Sequence, residues 1–305
     1  MSAQRALLDG GRWHLQHGPI DIVIAAEGDA AAVGAAHEAA WKRFETVLDE
    51  LVVELRVLRL PIVANSALDD CPLQGAVARR MWTACLPFAA GYITPMAAVA
   101  GSVADELIPF LRRAGITRAW VNNGGDIALH LAPGARTRIG LFADMAAFEG
   151  RTADGRVRTD AAFTLTDDVP VRGVATSGWR GRSFSLGIAD SVTVLARNAA
   201  EADAAATVIA NAVDVDAPGI VRRPASALKD DSDLGDMPVT VDVPTLNPAD
   251  RDTALARGKA VAAGLQATGR IHSAMLVCQG QWMAVQAPQS LAATPLVQYL
   301  LNERT

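Results

Sequence analysis

At 305 residues, the chain can bury one large core or two modest ones. Half its residues are apolar and a fifth are charged, which excludes intrinsic disorder. The balance of 28 basic against 33 acidic residues gives a net charge of −5, which argues against a nucleic-acid partner and an anionic-membrane surface.

Cys71, Cys85 and Cys278 lie far apart among apolar residues, with no metal-type spacing and no even disulfide framework. Buried, reduced thiols in a cytoplasmic protein are the expectation, and no adjacent base marks a nucleophile. The opening MSAQRALLDGGRW holds no sustained apolar run, so no signal peptide is expected.

Residues 12–25, RWHLQHGPIDIVIA, read as two short strands about Gly18 and Pro19, with Ile20, Ile22 and Ile24 alternating. His14 and His17 lack a third ligand at metal spacing and read as strand or turn residues. Asp29 can cap a long helix, on which Trp41, Phe44, Leu48, Leu51 and Leu55 form one apolar stripe. His37 reads as structural, and Glu45, Asp49, Glu50 and Glu54 as a solvated face. Asp69-Asp70-Cys71-Pro72 should lead into a second helix ending near Cys85. Arg79 and Arg80 read as a surface pair. Residues 81–104 carry no charge, but Pro87, Gly91 and Pro95 divide them. Two buried helices and a turn are expected there, not a membrane span. Thr94 and Pro95 have N-cap and N1 spacing, and the helix they open should stop at Gly115. Its first half is almost all small residues, which permits close approach of another backbone or of a ligand.

Residues 117–131, TRAWVNNGGDIALHL, read as two strands joined through Asn122, Asn123, Gly124, Gly125 and Asp126. Asn-Gly is a hairpin signal because both residues tolerate positive φ. The glycines would also let a ligand lie against the backbone. Residues 137–142 read as a strand, and about 144–170 as irregular. Residues 171–213 bring together a small-residue turn (Ala175, Thr176, Ser177, Gly178), a β-branched strand over 190–195 and an Ala-rich helix. Asn198 and Glu201 have the spacing of a capping box. Asp203 and Thr207 stand four apart on that helix and share a face. A carboxylate and a hydroxyl there are hard oxygen ligands, suited to Mg²⁺ or Ca²⁺. The pair also has ordinary explanations. The helix dipole favours an acid near its start, and a threonine can bond the carbonyl four residues back.

Residues 214–238 read as an irregular linker. Its DSDLGD stretch misses the spacing of a calcium loop. Residues 239–243 read as a strand, Asn247 caps a helix through about Gln266, and residues 271–286 form a hairpin turning at Gln279, Gly280 and Gln281. The order implies one α+β domain over 1–305, with antiparallel sheet and packed helices. Helix followed by paired strands occurs in both halves, which allows an old duplication. Sheet edges and apolar composition make a homo-oligomer an expectation.

Three segments together resemble the flavin transferase superfamily, the FAD:protein FMN transferases once linked to thiamine synthesis. They are the small-residue helix AAVAGSVADELIPFL at 97–111, the turn VNNGGD at 121–126, and VATSG at 174–178 followed by SVTV at 191–194 and DAAAT at 203–207. Their order and spacing match over about residues 90–213. The start QHGPIDIVI and the SDLGD segment resemble an uncharacterised branch of this superfamily found in bacteria and archaea. The resemblance implies a two-layer, tunnelling-fold-like α+β architecture. It also implies FAD against Asn123, Gly124, Gly125 and Asp126 and against Thr176, Ser177 and Gly178. Mg²⁺ would be held by Asp203, Thr207 and a carbonyl near Val99, bridging the pyrophosphate.

The chain departs from the transferases at two places. Ala100, where they carry lysine, precedes Gly101. SFSLGIAD at 183–190 replaces a longer segment containing a histidine, and Arg180 and Arg182 are the positive charges nearby. The implied enzyme is an Mg-dependent FMN transferase or a FAD pyrophosphatase-like enzyme acting on a phosphate-containing small molecule. The alternatives are a non-catalytic flavin or nucleotide binder, and a different enzyme on the same scaffold with a non-flavin substrate.

Overall fold

The computed structural model of the chain describes residues 2–141 and 161–286. Much of the irregular segment expected at about 144–170 therefore lies outside the described residues. The elements run β1 (Gln4–Leu8), β2 (Arg12–His17), β3 (Ile20–Gly28), α1 (Ala30–Val53), α2 (Leu55–Leu58), α3 (Ala76–Cys85), α4 (Val99–Leu111), β4 (Ile116–Asn123) and β5 (Asp126–Leu131). They continue as β6 (Arg136–Leu141), β7 (Ala161–Thr166), β8 (Gly173–Ser177), β9 (Ser191–Ala196), α5 (Ala199–Ala212), β10 (Val221–Pro224), β11 (Pro238–Asp242), α6 (Pro248–Ala267), β12 (Ser273–Cys278) and β13 (Gln281–Val285).

Nine strands form one antiparallel sheet in the order β1-β2-β3-β4-β5-β8-β9-β12-β13. The fold is α+β. One order of elements occurs twice: paired strands β2 and β3, helices α1 to α4, then β4 and β5; and β8 and β9, helices α5 and α6, then β12 and β13. Two-residue alternation decides which side chain meets which layer. Ile22, Ile24, Val121 and Ala128 point into a core with α1, α3 and α4. Val192, Val194 and Leu276 pack under α5 and α6. On the opposite face, Leu129, Leu131 and Leu195 meet Ile139, Phe163 and Leu165 of the β6–β7 hairpin. The central strands are thus covered on both faces, which explains why every residue of β9 is buried.

Local chemistry sets the helix ends. Asp29 caps α1 by accepting from the Ala31 and Ala32 N–H groups, both at 3.0 Å. Helix α1 ends at Val53 because Glu54 leaves the helical region, so Leu55 opens α2 and does not extend the α1 stripe. The acidic face expected on α1 is only partly solvated. Glu50 takes a two-pronged bond from Arg43, and Glu54 accepts from the Gln74 and Gly75 N–H groups just before α3. Helix α3 accordingly starts at Ala76, later than the Asp-Asp-Cys-Pro run implied, and that run holds a 3-10 turn at Leu68–Asp70. Arg79 and Arg80 are also tied down, to the Leu73 carbonyl and to the Ser102 carbonyl with Glu106. Pro95 opens a 3-10 turn, Pro95–Ala98, before α4 begins. Thr94 does not cap that turn; its hydroxyl donates to Asp233. Helix α4 stops at Leu111, and Gly115 (φ 87°) serves the turn into β4. Among the described residues no helix is long and apolar enough to cross a membrane. Cys85 and Cys278 are buried free thiols; burial pushes the first well up and the second up to about 12, so neither is a ready nucleophile.

Candidate functional site

The β4–β5 turn has Asn123 and Asp126 as its last paired residues, leaving Gly124 (φ 68°) and Gly125 (φ 114°) as a two-residue loop. Both conformations lie where a Cβ is strained, so the glycines, more than the Asn-Gly pair, make this turn. Asn122 Oδ1 accepts from the Gly125 N–H at 2.8 Å and braces it. The two flanking side chains point inward and are buried. Asn123 Nδ2 donates to the Ala100 carbonyl at 3.1 Å, tying the turn to the start of α4. Asp126 Oδ1 accepts from the Thr176 N–H at 3.2 Å, tying it to the end of β8.

At that end, the Thr176 and Thr193 hydroxyls share a hydrogen bond of 2.9 Å across β8 and β9. Thr176 is exposed and Ser177 half-buried, so both remain open to a ligand. Gly178 is required for a different reason from the turn glycines. A Cβ there would lie 2.3 Å from the Asp190 carbonyl oxygen.

Helices α4 and α5 meet at their N-terminal ends and cap one another. Asp105 of α4 accepts from the Ala199 and Ala200 N–H groups of α5, at 3.1 and 2.8 Å. Asp203 of α5 accepts from the Gly101 N–H of α4 at 2.9 Å. Each carboxylate meets unpaired N–H groups and the positive dipole end of the other helix. The seam closes because Gly101 has no side chain; a Cβ would lie 2.2 Å from the Ala199 carbonyl oxygen. Asn198 caps α5 through the Glu201 N–H, while the Glu201 carboxylate turns outward to Arg197.

Thr207 follows Asp203 by one turn and is half-buried. Among the described residues, Thr253 and Thr268 bond the carbonyl four residues back, and Thr207 makes no such bond. Val99, the first residue of α4, lies two positions before Gly101 and is half-buried.

The electrostatics are those of negative charge held away from water. Burial pushes the Asp126 carboxyl up to about 7, against the opposing pull of the Thr176 N–H and the Arg182 charge. Burial also raises Asp203 well above the carboxylate range; the Asp126 and Asp105 charges add to the rise, and the Gly101 and Ala100 N–H groups oppose it. Asp105 is raised by burial, and its own bonds to the α5 amides limit the rise. Among the described residues no group of three or more His, Cys, Asp or Glu side chains could hold a metal ion. A cation here would need hydroxyl and carbonyl oxygens beside carboxylate.

The structure therefore brings the turn at 123–126, the end of β8, the start of α4 and the first turns of α5 into one locality. Asp105 belongs to it too, although nothing in its local sequence marks it. Asp233 approaches from the segment expected to be a plain linker. Its backbone carbonyl accepts from the Tyr92 hydroxyl and its carboxylate from Thr94, next to the start of the 3-10 turn.

A model of the family described as AbpE bacteria matches residues 4–284. A UPF0280 protein of Methanopyrus kandleri is 32% identical over 214 residues, covering 69% of this chain and 78% of the relative. A UPF0280 protein of Methanosphaerula palustris is 39% identical over 122 residues, covering 40% of this chain and 47% of the relative, so the match spans about half of that relative's length. A flavin transferase ApbE of known structure from Vibrio cholerae aligns over 93% of this chain and 97% of its own, at 15% identity and a TM-score of 0.39.

Proposed function

The chain belongs to the family described as AbpE bacteria, and from that premise we propose that it binds FAD or a related phosphate-containing ligand at this locality, with Mg-dependent cleavage or transfer at the pyrophosphate. The observation that supports this most is the set of three hydrogen bonds from Asn123 to Ala100, from Thr176 to Asp126 and from Gly101 to Asp203. They hold two small-residue turns and two helix starts in fixed relation, as a preorganised site requires.

The donor set fits Mg²⁺. Asp203 supplies a carboxylate, Thr207 a hydroxyl free of the bond to the carbonyl four residues back, and Val99 a carbonyl at the start of α4. All are hard oxygens, and the remaining positions fall to phosphate and water. Two carboxyl groups that burial drives toward protonation are what a nearby dication would return to the charged form. When bound, the ion would polarise the diphosphate and stabilise charge as the phosphoanhydride breaks. Asn123, Gly124, Gly125 and Asp126 would form one wall of the ligand cradle, and Thr176, Ser177 and Gly178 the other. Gly125, where an added Cβ would meet nothing within 4 Å, leaves the turn bare on that side, and Asp126 holds the two walls in register through the Thr176 N–H. Asp203→Asn tests this reading. Asparagine keeps an acceptor oxygen for the Gly101 N–H, so the fold should survive while Mg-dependent FMN release from FAD is abolished. Retained turnover would overturn the assignment.

A non-catalytic binder is the second reading, and residues 183–190 favour it. Ser185 donates to Asn211 Oδ1, which also accepts from the Leu186 N–H, and Gly187 packs where a Cβ would lie 2.1 Å from the Ala210 carbonyl oxygen. The buried middle of this stretch is committed to the C-terminal end of α5, and the stretch holds no histidine. Ala100 offers no group for chemistry. Stoichiometric FAD binding without FMN release would select this reading.

A further inference from the structure

Two arginines stand between β8 and β9, and their surroundings differ. Arg180 lies over the Trp179 indole, its guanidinium carbon 4.8 Å from the ring centre, with Nε 3.9 Å from Asp190. Asp190 also accepts from the Trp179 ring N–H and the Gln279 N–H. Arg180 thus belongs to the framework that ties this segment to the final hairpin. Arg182 instead reaches the β4–β5 turn. A Cβ on Gly124 would lie 1.5 Å from Arg182 Nη2 and 2.7 Å from its guanidinium carbon, so the guanidinium fills the space that a side chain at 124 would take. Arg182 is exposed. No carboxylate stands within ion-pairing distance of it among the described residues, although its charge is felt at Asp126.

We propose that Arg182 is the phosphate-recognising residue of this site, laid across the Gly124-Gly125 turn so that its outward N–H groups meet a diphosphate seated there. The proposal rests on the ligand reading above and adds the group that selects for the anion. A guanidinium presents a rigid fork matched to two phosphate oxygens, which an ammonium cannot reproduce. Gly124 then has two duties, the positive φ of the turn and the vacancy that admits the guanidinium.

The test is equilibrium titration of the full chain, wild type and the variants Arg182→Ala, Arg182→Lys and Arg180→Ala, with three probes in Mg²⁺ buffer: FAD, riboflavin and inorganic pyrophosphate. Loss of a charge-assisted fork should weaken pyrophosphate and FAD by about tenfold or more in Arg182→Ala, with riboflavin unchanged. Arg182→Lys should recover only part of that loss, and Arg180→Ala should bind as wild type. If pyrophosphate binds and depends on Arg182 while FAD does not bind, this inference stands and the flavin reading falls. Equal pyrophosphate affinity in wild type and Arg182→Ala, or no pyrophosphate binding by wild type, overturns it.

Discussion

Gly101→Ala probes the seam on which the whole site rests. The added Cβ would lie 2.2 Å from the Ala199 carbonyl oxygen, 2.5 Å from its carbonyl carbon and 2.9 Å from the Ala200 nitrogen. All three are backbone atoms at the start of α5, so no flexible side chain can yield. Reaching ordinary contact requires the helices to part by roughly an ångström, and overpacking of this kind costs about 1–3 kcal/mol. Alanine recovers up to about 1 kcal/mol of helix propensity, and three backbone clashes put the overpacking cost at the upper end of that range, so a net loss of about 2 kcal/mol is expected. The same parting stretches the bond from the Gly101 N–H to Asp203 and those from the α5 amides to Asp105. Mg²⁺ affinity should therefore fall together with stability. Gly34 in α1 and Gly264 in α6 are the controls, since a Cβ at either meets nothing within 4 Å. Alanine at those positions should stabilise by up to about 1 kcal/mol. Urea denaturation gives the stability and calorimetric titration gives the affinity. A Gly101→Ala protein as stable as wild type, with unchanged Mg²⁺ binding, would mean that the seam does not hold the site.

Thr207→Val preserves shape and removes the hydroxyl. Mg²⁺ affinity should drop about tenfold with stability nearly unchanged, a shift of about 1.4 kcal/mol on a binding isotherm; equal affinity would remove Thr207 from the ligand set. Asp126 gives a pH signature. Its folded carboxyl titrates at about 7 and its unfolded counterpart near 4, so the unfolded chain holds fewer protons between those values. Its contribution to stability in chelator should fall as pH rises through that window, by at most about 1.4 kcal/mol per unit, and level off above it. Asp126→Asn should flatten the slope in urea melts between about pH 4 and about pH 8, and an unaltered slope would contradict the assignment. Arg43 joins α1 to α4, donating to Glu106 at 2.7 Å and to both Glu50 oxygens at 2.6 and 2.7 Å. Arg43→Met should cost about 2 kcal/mol, because it leaves half-buried carboxylates short of donors. A change in the urea midpoint worth less than about 0.5 kcal/mol would place this network with ordinary surface pairs.

Local chemistry made much of this architecture legible. Alternating Ile20, Ile22 and Ile24 identify β3, and the Asp29, Asn198 and Asn247 caps mark the starts of α1, α5 and α6. Each signal is complete within a few residues. Gln279 and Gly280, both at positive φ, close the final hairpin where the turn was expected. What stayed hidden depends on distant partners. Strand β1 is mostly exposed and shows no inward face, so it has no alternation to read. Glu54 acts on amides twenty residues away, and β10 gains its identity only by pairing with β11. The site divides in the same way. The glycine turns and the shared face of Asp203 and Thr207 can be read from spacing. The mutual capping by Asp105 and Asp203, and the reach of Arg182 across Gly124, exist only once α4, α5 and the segment after β8 have packed together.

Titration of the wild-type chain with FAD, in Mg²⁺ and again in EDTA, shows whether ion and flavin share one site. FAD should bind in both buffers and bind markedly tighter with Mg²⁺, because the ion joins Asp203 and Thr207 to the diphosphate. An affinity indifferent to Mg²⁺, or no binding in either buffer, would contradict a shared site.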